Sequence, residues 1–135
     1  MQTFELVMID STKELRFNNV TLFHGSDRSG QFGIMARHQT FMTSLLLSLC
    51  WFFTIDDPLP TYVALSGGIL YFNRNILSIV TPHFFVDKDM QKISINLEQE
   101  LKMEEQQRKE MRERAKNLEK EMLKRMWEMQ KEAPK

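Results

Sequence analysis

The three histidines are the side chains of this chain best suited to bind a metal ion, but their spacing does not favour a site. His24, His38 and His83 form no HxxxH or HxxE pattern, and the single Cys50 excludes a CxxC motif. No GxxxxGK[ST] or GxGxxG segment is present, and two adjacent glycines alone do not make a phosphate-binding loop. The sequence therefore predicts neither a metal site nor a cofactor site.

Cys50 and the adjacent Asp56 and Asp57 are the remaining candidates for catalysis. Cys50 lies in an apolar segment, where a free thiol more often fills a core than acts as a nucleophile. The two aspartates stand beside two prolines, so turn formation explains their position better than general acid–base chemistry. We therefore expect a protein that has no active site of its own.

Charged residues are balanced over the whole chain but concentrated toward its C-terminal end. Lys and Arg together number 18, as do Asp and Glu, so the formal net charge is zero. A nucleic-acid-binding protein needs a basic surplus to displace counterions, and this class is therefore disfavoured. Residues 98–135 hold 21 of the 36 charges and contain no glycine. The chain thus consists of two parts that differ in amino-acid composition.

Residues 1–87 are predicted to form an antiparallel β-sandwich. Short segments rich in β-branched and aromatic residues alternate with turn residues, a pattern typical of sandwiches and barrels. The predicted strands are residues 4–9, 20–23, 31–35, 41–55, 62–66, 69–72 and 76–80. Residues 24–30 are predicted to be a loop, and residues 56–60 a turn in which two prolines interrupt pairing.

The longest apolar segment, residues 41–55, is predicted to be a buried strand. It covers 15 residues and includes four serines and threonines. A helix that crosses a bilayer needs about 20 predominantly apolar residues, so this segment is too short. We therefore do not expect it to span a membrane.

Residues 88–135 are predicted to be helical, because good helix formers dominate and neither Gly nor Pro occurs between Asp87 and Lys131. Apolar side chains recur at helical spacing and are expected to form a buried stripe. The members of this stripe are Leu97, Leu101, Met111, Ala115, Leu118, Met122, Met126 and Met129. Glu104 and Arg108 interrupt it, which leaves two helices meeting near residues 104–108 and one long helix as alternatives.

Two segments of the β part carry a resemblance to a known family. Residues 30–38 (GQFGIMARH), followed by residues 41–45 (FMTSL), resemble the signature loop of the ε subunit of F-type ATP synthases. Residues 62–70 (YVALSGGIL) are similar to the second signature of that family, a strand that enters a Gly-Gly bulge. Ala36-Arg37 stands where the family usually has Pro-Gly. In this respect the chain looks more like the alternate, often sodium-translocating branch known as N-ATPases.

This resemblance implies a rotor subunit at the foot of the central stalk, without a cofactor, on the cytoplasmic face of the cell membrane. Its implied partners are the γ subunit, the c-ring and, through the tail, the catalytic α and β subunits. The loop residues implied to face the c-ring are Gln31, Arg37, His38 and Gln39. The residues implied to lie at the γ interface are Ser66, Gly67 and Gly68.

The resemblance further implies that the helical tail can swing toward the catalytic subunits and inhibit ATP hydrolysis. The basic residues available for such a contact are Arg108, Arg112, Arg114, Lys124 and Arg125. Interleaved glutamates are expected to pair with several of them along the helix, as in Glu104–Arg108, Glu110–Arg114 and Glu121–Arg125. The [IL]DxxRA motif through which some relatives bind ATP is not matched by residues 93–98, so nucleotide binding is not expected.

Two other interpretations remain open from the sequence. One is a non-enzymatic β-sandwich adaptor whose helical tail dimerises as a coiled coil, although only about three heptads follow residue 111. The other is a sandwich that binds a small ligand, which would need a convergent polar set that the sequence does not show. Whether the ring of the complex would carry protons or sodium ions depends on another subunit.

Overall fold

The computed structural model describes residues 2–132, and within them a β-rich part is followed by one helix. The elements are β1 (Phe4–Ile9), β2 (Glu14–Asp27), β3 (Gly30–Met35), β4 (Phe41–Thr54), β5 (Asp57–Asn73), β6 (Ile76–Val80), β7 (Phe84–Asp87) and α1 (Met90–Glu132). The predicted fold class, an N-terminal β-sandwich followed by a helical segment, is confirmed. Met1 and residues 133–135, at the outer ends of the two predicted domains, lie outside the described residues.

The strands form one sheet that closes on itself. Along the sheet the order is β1-β6-β5-β4-β2-β3, β7 pairs with β5, and β1 also pairs with β2. The β1–β6 pairing is parallel and the other pairings are antiparallel. Closure leaves β1 and β6 without free edges, which removes a common route to edge-to-edge association.

The core of the β part is built from large aromatic and aliphatic side chains that alternate along the strands. Phe4, Phe23, Phe52, Phe72 and Phe84 are fully buried. The rings of Phe4 and Phe72 meet edge to face with their centroids 5.7 Å apart. Burial of each such side chain contributes about 1.5–3 kcal/mol to folding, so these residues dominate the stability of the β part.

The loop predicted over residues 24–30 is mostly strand, so that prediction is wrong. β2 continues to Asp27 and pairs with β3, which leaves a hairpin turn at Arg28 and Ser29. Asp27 shapes this turn by accepting the N–H of Ser29 at 2.8 Å. A Cβ on Gly25 would lie 3.0 Å from the rings of both Phe23 and Phe32, so this glycine lets two aromatic rings pack across the strand.

The turn predicted over residues 56–60 is also shorter than expected. The chain reverses at Ile55 and Asp56, and β5 already begins at Asp57. Pro58 and Pro60 therefore lie inside a strand. Both prolines precede Tyr62, the first residue of β5 that pairs with β7. The N–H groups that proline lacks are therefore not needed for hydrogen bonds to β7.

The C-terminal segment is a single helix, α1, which resolves the choice between one helix and two. Asp89 caps it by accepting the N–H of Gln91 at 2.9 Å. In the first turns Ile93 is fully buried and Leu97 is half-buried. The other members of the predicted buried stripe, from Leu101 to Met129, are exposed, so that prediction is wrong for them.

The chain divides into two compact units, residues 1–100 and 101–135. The strands end at Asp87, but the first turns of α1 belong to the first unit. Residues 41–54 form β4, which confirms the strand predicted over the longest apolar segment. Only Leu45, Cys50 and Phe52 of this strand are buried, so the predicted burial is wrong for the rest. No helix among the described residues is both long and apolar enough to cross a membrane.

Candidate functional site

Three of the four predicted ring-facing residues lie together. Arg37, His38 and Gln39 form the connection between β3 and β4, whereas Gln31 lies earlier, in β3, opposite Ser26 of β2. Gln31, Arg37 and Gln39 are exposed and His38 is half-buried. The structure therefore groups Arg37, His38 and Gln39 and leaves Gln31 on a neighbouring strand.

Asn75 joins this connection to two other parts of the chain. Its Oδ1 accepts the backbone N–H of Arg37 at 2.8 Å, and its Nδ2 donates to the carbonyl of Thr3 at 2.9 Å. Its own carbonyl accepts the N–H of Glu5 at 3.2 Å. We call residues 36–40 and 73–75 the tip surface. Nothing in the sequence links Arg37 to Asn75, because the two residues are 38 positions apart and meet only through the sheet.

His38 anchors the tip surface to the core. Its ring meets the rings of Phe41 and Phe72 edge-on, with both centroid distances 5.9 Å. Its Nδ1 lies 2.8 Å from the carbonyl oxygen of Gln39, and because a carbonyl only accepts, Nδ1 must carry the proton of that hydrogen bond. The imidazole therefore holds the turn in place.

Two arginines of the tip surface have backbone conformations that L-residues rarely adopt. The φ angles are 65° at Arg37, 51° at Arg74 and 64° at Asn75. Asparagine tolerates this left-handed region, whereas arginine has no local reason to prefer it. At Arg74 and Asn75 the two-residue hairpin turn between the paired Asn73 and Ile76 requires positive φ angles, whereas at Arg37 the backbone N–H is held by Asn75 Oδ1.

The bulge predicted at Ser66, Gly67 and Gly68 is absent from the pairing of β5 with β4, and the expectation is wrong in that respect. Leu45 pairs with Gly68 and Leu47 with Ser66, so both strands advance by two residues. The glycines instead mark the point where β5 changes its other neighbour, from β7 to β6. Their φ angles, 100° and 129°, favour glycine at both positions.

Gly68 is required by contacts within the chain itself. A Cβ at this position would overlap the carbonyl oxygen of Val80 and lie 2.9 Å from the Cα of Thr81. Ser66 braces the same region, because its Oγ accepts the N–H of His83 at 2.9 Å and its N–H donates to the carbonyl of His83 at 3.1 Å. The β6–β7 connection therefore passes directly over this part of β5.

A second exposed surface was not predicted from the sequence. Cross-strand pairing places apolar residues of β1, β4, β5 and β6 on the side of the sheet that faces away from the core. We call this set the apolar face: Ile9, Met42, Ile69, Tyr71, Ile76 and Val80. Ile69 and Val80 pair directly and remain 53% and 54% exposed. Large contiguous apolar patches on protein surfaces are common at sites that bind proteins, membranes or ligands.

Comparison with known families decides the relationship of the chain. The model described as "ATP synthase, Delta/Epsilon chain, beta-sandwich domain" matches residues 3–86, more than half of the sequence. The chain belongs to this family. A comparison with curated proteins finds no match.

Solved structures show the same fold in this delta/epsilon family member. A chain of the Euglena gracilis mitochondrial ATP synthase, in a structure of OSCP, F1 and c-ring, is 18% identical with a TM-score of 0.57, over 73% of this chain and 62% of that one. A chain of the Tetrahymena thermophila mitochondrial ATP synthase, from its central stalk and c-ring, is 13% identical with a TM-score of 0.52, over 62% and 66%. The delta/epsilon chain described here thus spans under two thirds of the first of these chains and about two thirds of the second.

The tail of this delta/epsilon chain presents its charged residues to solvent. The predicted regulatory residues, Arg108, Arg112, Arg114, Lys124 and Arg125, are all exposed on α1. Of the three predicted pairs along the helix, Glu104–Arg108 is present at 3.5 Å, one helical turn apart. The predicted pairs Glu110–Arg114 and Glu121–Arg125 are not formed among the described residues, so the prediction is wrong for them. The apolar residues of this segment are exposed as well, and Met129 reaches 70%.

Cys50 of this delta/epsilon chain is buried in the sheet. Burial raises the pKa of its thiol to about 11, against opposing hydrogen bonds from Ser48 and Ser26. The thiol therefore stays protonated near neutral pH, and its position is that of a core residue.

Proposed function

We propose that this chain is the ε-type subunit of a rotary ATP synthase or ATPase, a non-catalytic part of the central stalk that connects the c-ring to the γ subunit. The observation that carries the proposal is the family match over residues 3–86, which covers all of β1 to β6 and most of β7. The similar chains come from structures described as containing a c-ring, and one as a central stalk. The activity would belong to the complex, in coupling ion flow to ATP synthesis or hydrolysis.

The ring contact is proposed to involve Gln31 and the tip surface, with Arg37, His38 and Gln39 at its centre. Hydrogen bonds of Asn75 hold this surface together, and His38 anchors it to the core. A rigid surface suits a part that transmits torque, because a flexible loop would yield under load.

The γ contact is proposed to use the apolar face together with Ser66, Gly67 and Gly68. Gly68 packs against the Val80 backbone, and Ile69 pairs with Val80, so the glycines and the apolar face form one continuous area. Burial of apolar area on γ would provide the affinity, at about 25 cal/mol for each Å² removed from water.

The tail is proposed to regulate hydrolysis by contact with the catalytic α and β subunits. Support comes from the exposure of the basic residues Arg108, Arg112, Arg114, Lys124 and Arg125. The whole chain would lie on the cytoplasmic face of the cell membrane, attached through the complex. Ala36-Arg37 supports assignment to the N-ATPase branch, as a further part of the proposal.

Affinity purification of the tagged chain from detergent-solubilised membranes tests this proposal. We expect γ and c subunits to copurify. Ile69→Lys places a charge on the apolar face and is expected to lose γ. Leu59→Lys is the matched control, since Leu59 lies on the same strand, outside the apolar face, and is 66% exposed. Loss of γ from both variants or from neither would contradict the assigned face.

A second candidate is a β-sandwich adaptor whose tail dimerises. The exposed apolar residues of α1, including Leu118 and Met122, favour it, since a second helix could cover them. Recovery of a homodimer without γ or c subunits in the same purification would support this candidate and contradict the first.

A further inference from the structure

The tip surface carries two arginines whose charges are not neutralised within the described residues. Ion pairs among residues 2–132 involve Lys13, Arg16, Lys88 and Arg108, and neither Arg37 nor Arg74. The sequence has no Asp or Glu from residue 28 to 55 or from 58 to 86.

The carboxylate nearest in register to the tip surface is already engaged. Glu5 lies opposite Ile76 and pairs with Arg16 at 3.0 Å. Arg37 and Arg74 are therefore the charged residues of a surface without a neutralising carboxylate of its own.

Both arginines are fixed at their backbones. Each has a φ angle in the left-handed region, and the hydrogen bond from the Arg37 N–H to Asn75 Oδ1 holds the two turns together. Fixed attachment points reduce the conformational entropy lost when a guanidinium binds a partner.

The chemistry of two guanidinium groups favours carboxylates over a lipid surface. A planar guanidinium donates two parallel hydrogen bonds to one carboxylate. Attachment to anionic lipid instead depends on clusters of about four to eight basic residues, and the tip surface has two arginines. His38 adds little to such a cluster, because its ring packs on Phe41 and Phe72 and its Nδ1 is bonded to Gln39.

We propose that the tip surface is a receptor for carboxylates on an acidic polypeptide loop, with Arg37 and Arg74 each binding one carboxylate. This inference rests on the proposed function, which sets the tip surface against the c-ring and its neighbours. It goes beyond that function in assigning the binding charge to Arg37 and Arg74 and in naming the partner's chemistry. Arg37 and Arg74 provide the charge, and Asn75 positions them.

Asparagine substitutions at both arginines test the inference in the full-length chain. Because asparagine tolerates a left-handed φ angle, Arg37→Asn and Arg74→Asn remove charge and preserve the turns. Arg28→Asn, in the β2–β3 turn, removes the same charge elsewhere. Binding is measured to the purified subcomplex of γ with the c-ring in detergent, at low and high salt. Melting temperatures of all variants establish that each is folded.

We expect each tip variant to bind about tenfold more weakly, the magnitude typical of one charge-assisted hydrogen-bonded pair. The double variant should lose most of the salt dependence of wild-type binding, and Arg28→Asn should bind as wild type does. The double Arg37→Lys, Arg74→Lys variant retains the charge and is expected to bind more tightly than the double asparagine variant. It also provides the comparison if an asparagine variant does not fold.

Three results would overturn the inference, and they separate it from the proposed function. If wild type binds and the double asparagine and double lysine variants match it in affinity and salt dependence, the carboxylate receptor is wrong and the proposed function stands. If wild type does not bind the subcomplex, the proposed function fails, and the inference fails with it. If wild type binds phosphatidylserine–phosphatidylcholine vesicles through the same arginines, the partner is a lipid surface and not a polypeptide.

Discussion

The β unit and the helical segment after residue 100 are held in shape by different forces. In the β unit, side chains such as Phe52 and Leu65 are fully buried, and strands distant in sequence, such as β1 and β6, pair with one another. In residues 105–131 every side chain is exposed, so that stretch of α1 depends on local propensity and on pairs one turn apart. The β unit can therefore keep one conformation alone, whereas the conformation of the helix depends more strongly on what binds it.

The largest effect is expected at Gly68, where substitution should destabilise the folded β unit. Gly68→Val forces a β-branched side chain into a φ of 129° and onto the Val80 carbonyl. We expect a loss of more than about 4 kcal/mol in the free energy of unfolding, measured by urea titration. Although Gly68 is implied to lie at the γ interface, its contacts with Val80 and Thr81 make this variant a probe of folding.

Gly30→Val is the matched control for Gly68→Val. Gly30 has a similar φ of 127°, but a Cβ there meets no atom within 4 Å. Backbone strain alone should cost about 1–3 kcal/mol. Equal losses from the two variants would show that contact with Val80 contributes nothing.

A pair of truncations to alanine compares the interiors of the two regions directly. Phe72→Ala removes a fully buried ring and should cost about 3–5 kcal/mol of unfolding free energy. Met126→Ala removes a side chain that is 60% exposed and should change stability by less than about 0.5 kcal/mol. A comparable loss from Met126→Ala, measured by chemical denaturation, would mean that the tail packs in solution.

The boundary between the regions can be tested with two shortened chains. A chain ending after Glu100 keeps Ile93, which is fully buried, whereas one ending after Asp89 loses it. Loss of a buried Ile side chain typically costs about 2–5 kcal/mol, so the shorter chain should be the less stable by this order.

The chain ending after Glu100 also tests the proposed regulatory role of the tail. It lacks every basic residue proposed to reach the catalytic subunits, so ATP hydrolysis by the assembled complex should rise. Coupling of about 1–3 kcal/mol would give a rise of roughly fivefold or more. Unchanged hydrolysis with normal assembly would make the tail a passive element.

Asp10 is expected to give a moderate effect with a distinct pH dependence. Its side chain is fully buried, and burial raises the carboxyl pKa, but this is outweighed by hydrogen bonds from Thr12 and Lys13. The net result is a pKa well below the ordinary value. The stabilisation is therefore present above about pH 4 and is lost as pH falls toward the folded-state pKa.

Asp10→Asn should accordingly lower the free energy of unfolding by about 1–3 kcal/mol at neutral pH. The difference from wild type should shrink as the solution is acidified below about pH 4. Denaturant titrations across this range provide the measurement. A difference that is constant with pH would contradict the role given to the charged carboxylate.

Local features of the sequence determined most of the secondary structure. Short segments rich in β-branched and aromatic residues, bounded by turn residues, predicted β1, β3 and β6 almost to the residue, since such local composition favours strands. Absence of Gly and Pro predicted the helical segment, and two short motifs predicted the family. The patterns could not place the end of β2 or the start of β5, because Gly25 and Pro58 favour turns locally. Hairpin pairing of β2 with β3 and of β4 with β5 carries the strands through both residues.

Tertiary structure alone decided the surfaces. Asn75 meets Arg37 only when the β5–β6 and β3–β4 turns come together, across 38 residues of chain. Ile69 is exposed and its neighbour Leu70 is buried, although both are aliphatic, because the register of β5 assigns them to opposite sides of the sheet. The sequence specifies which residues favour strand or helix through interactions over a few positions. Which residues reach a partner depends on contacts across tens of positions, and those exist only once the sheet has closed.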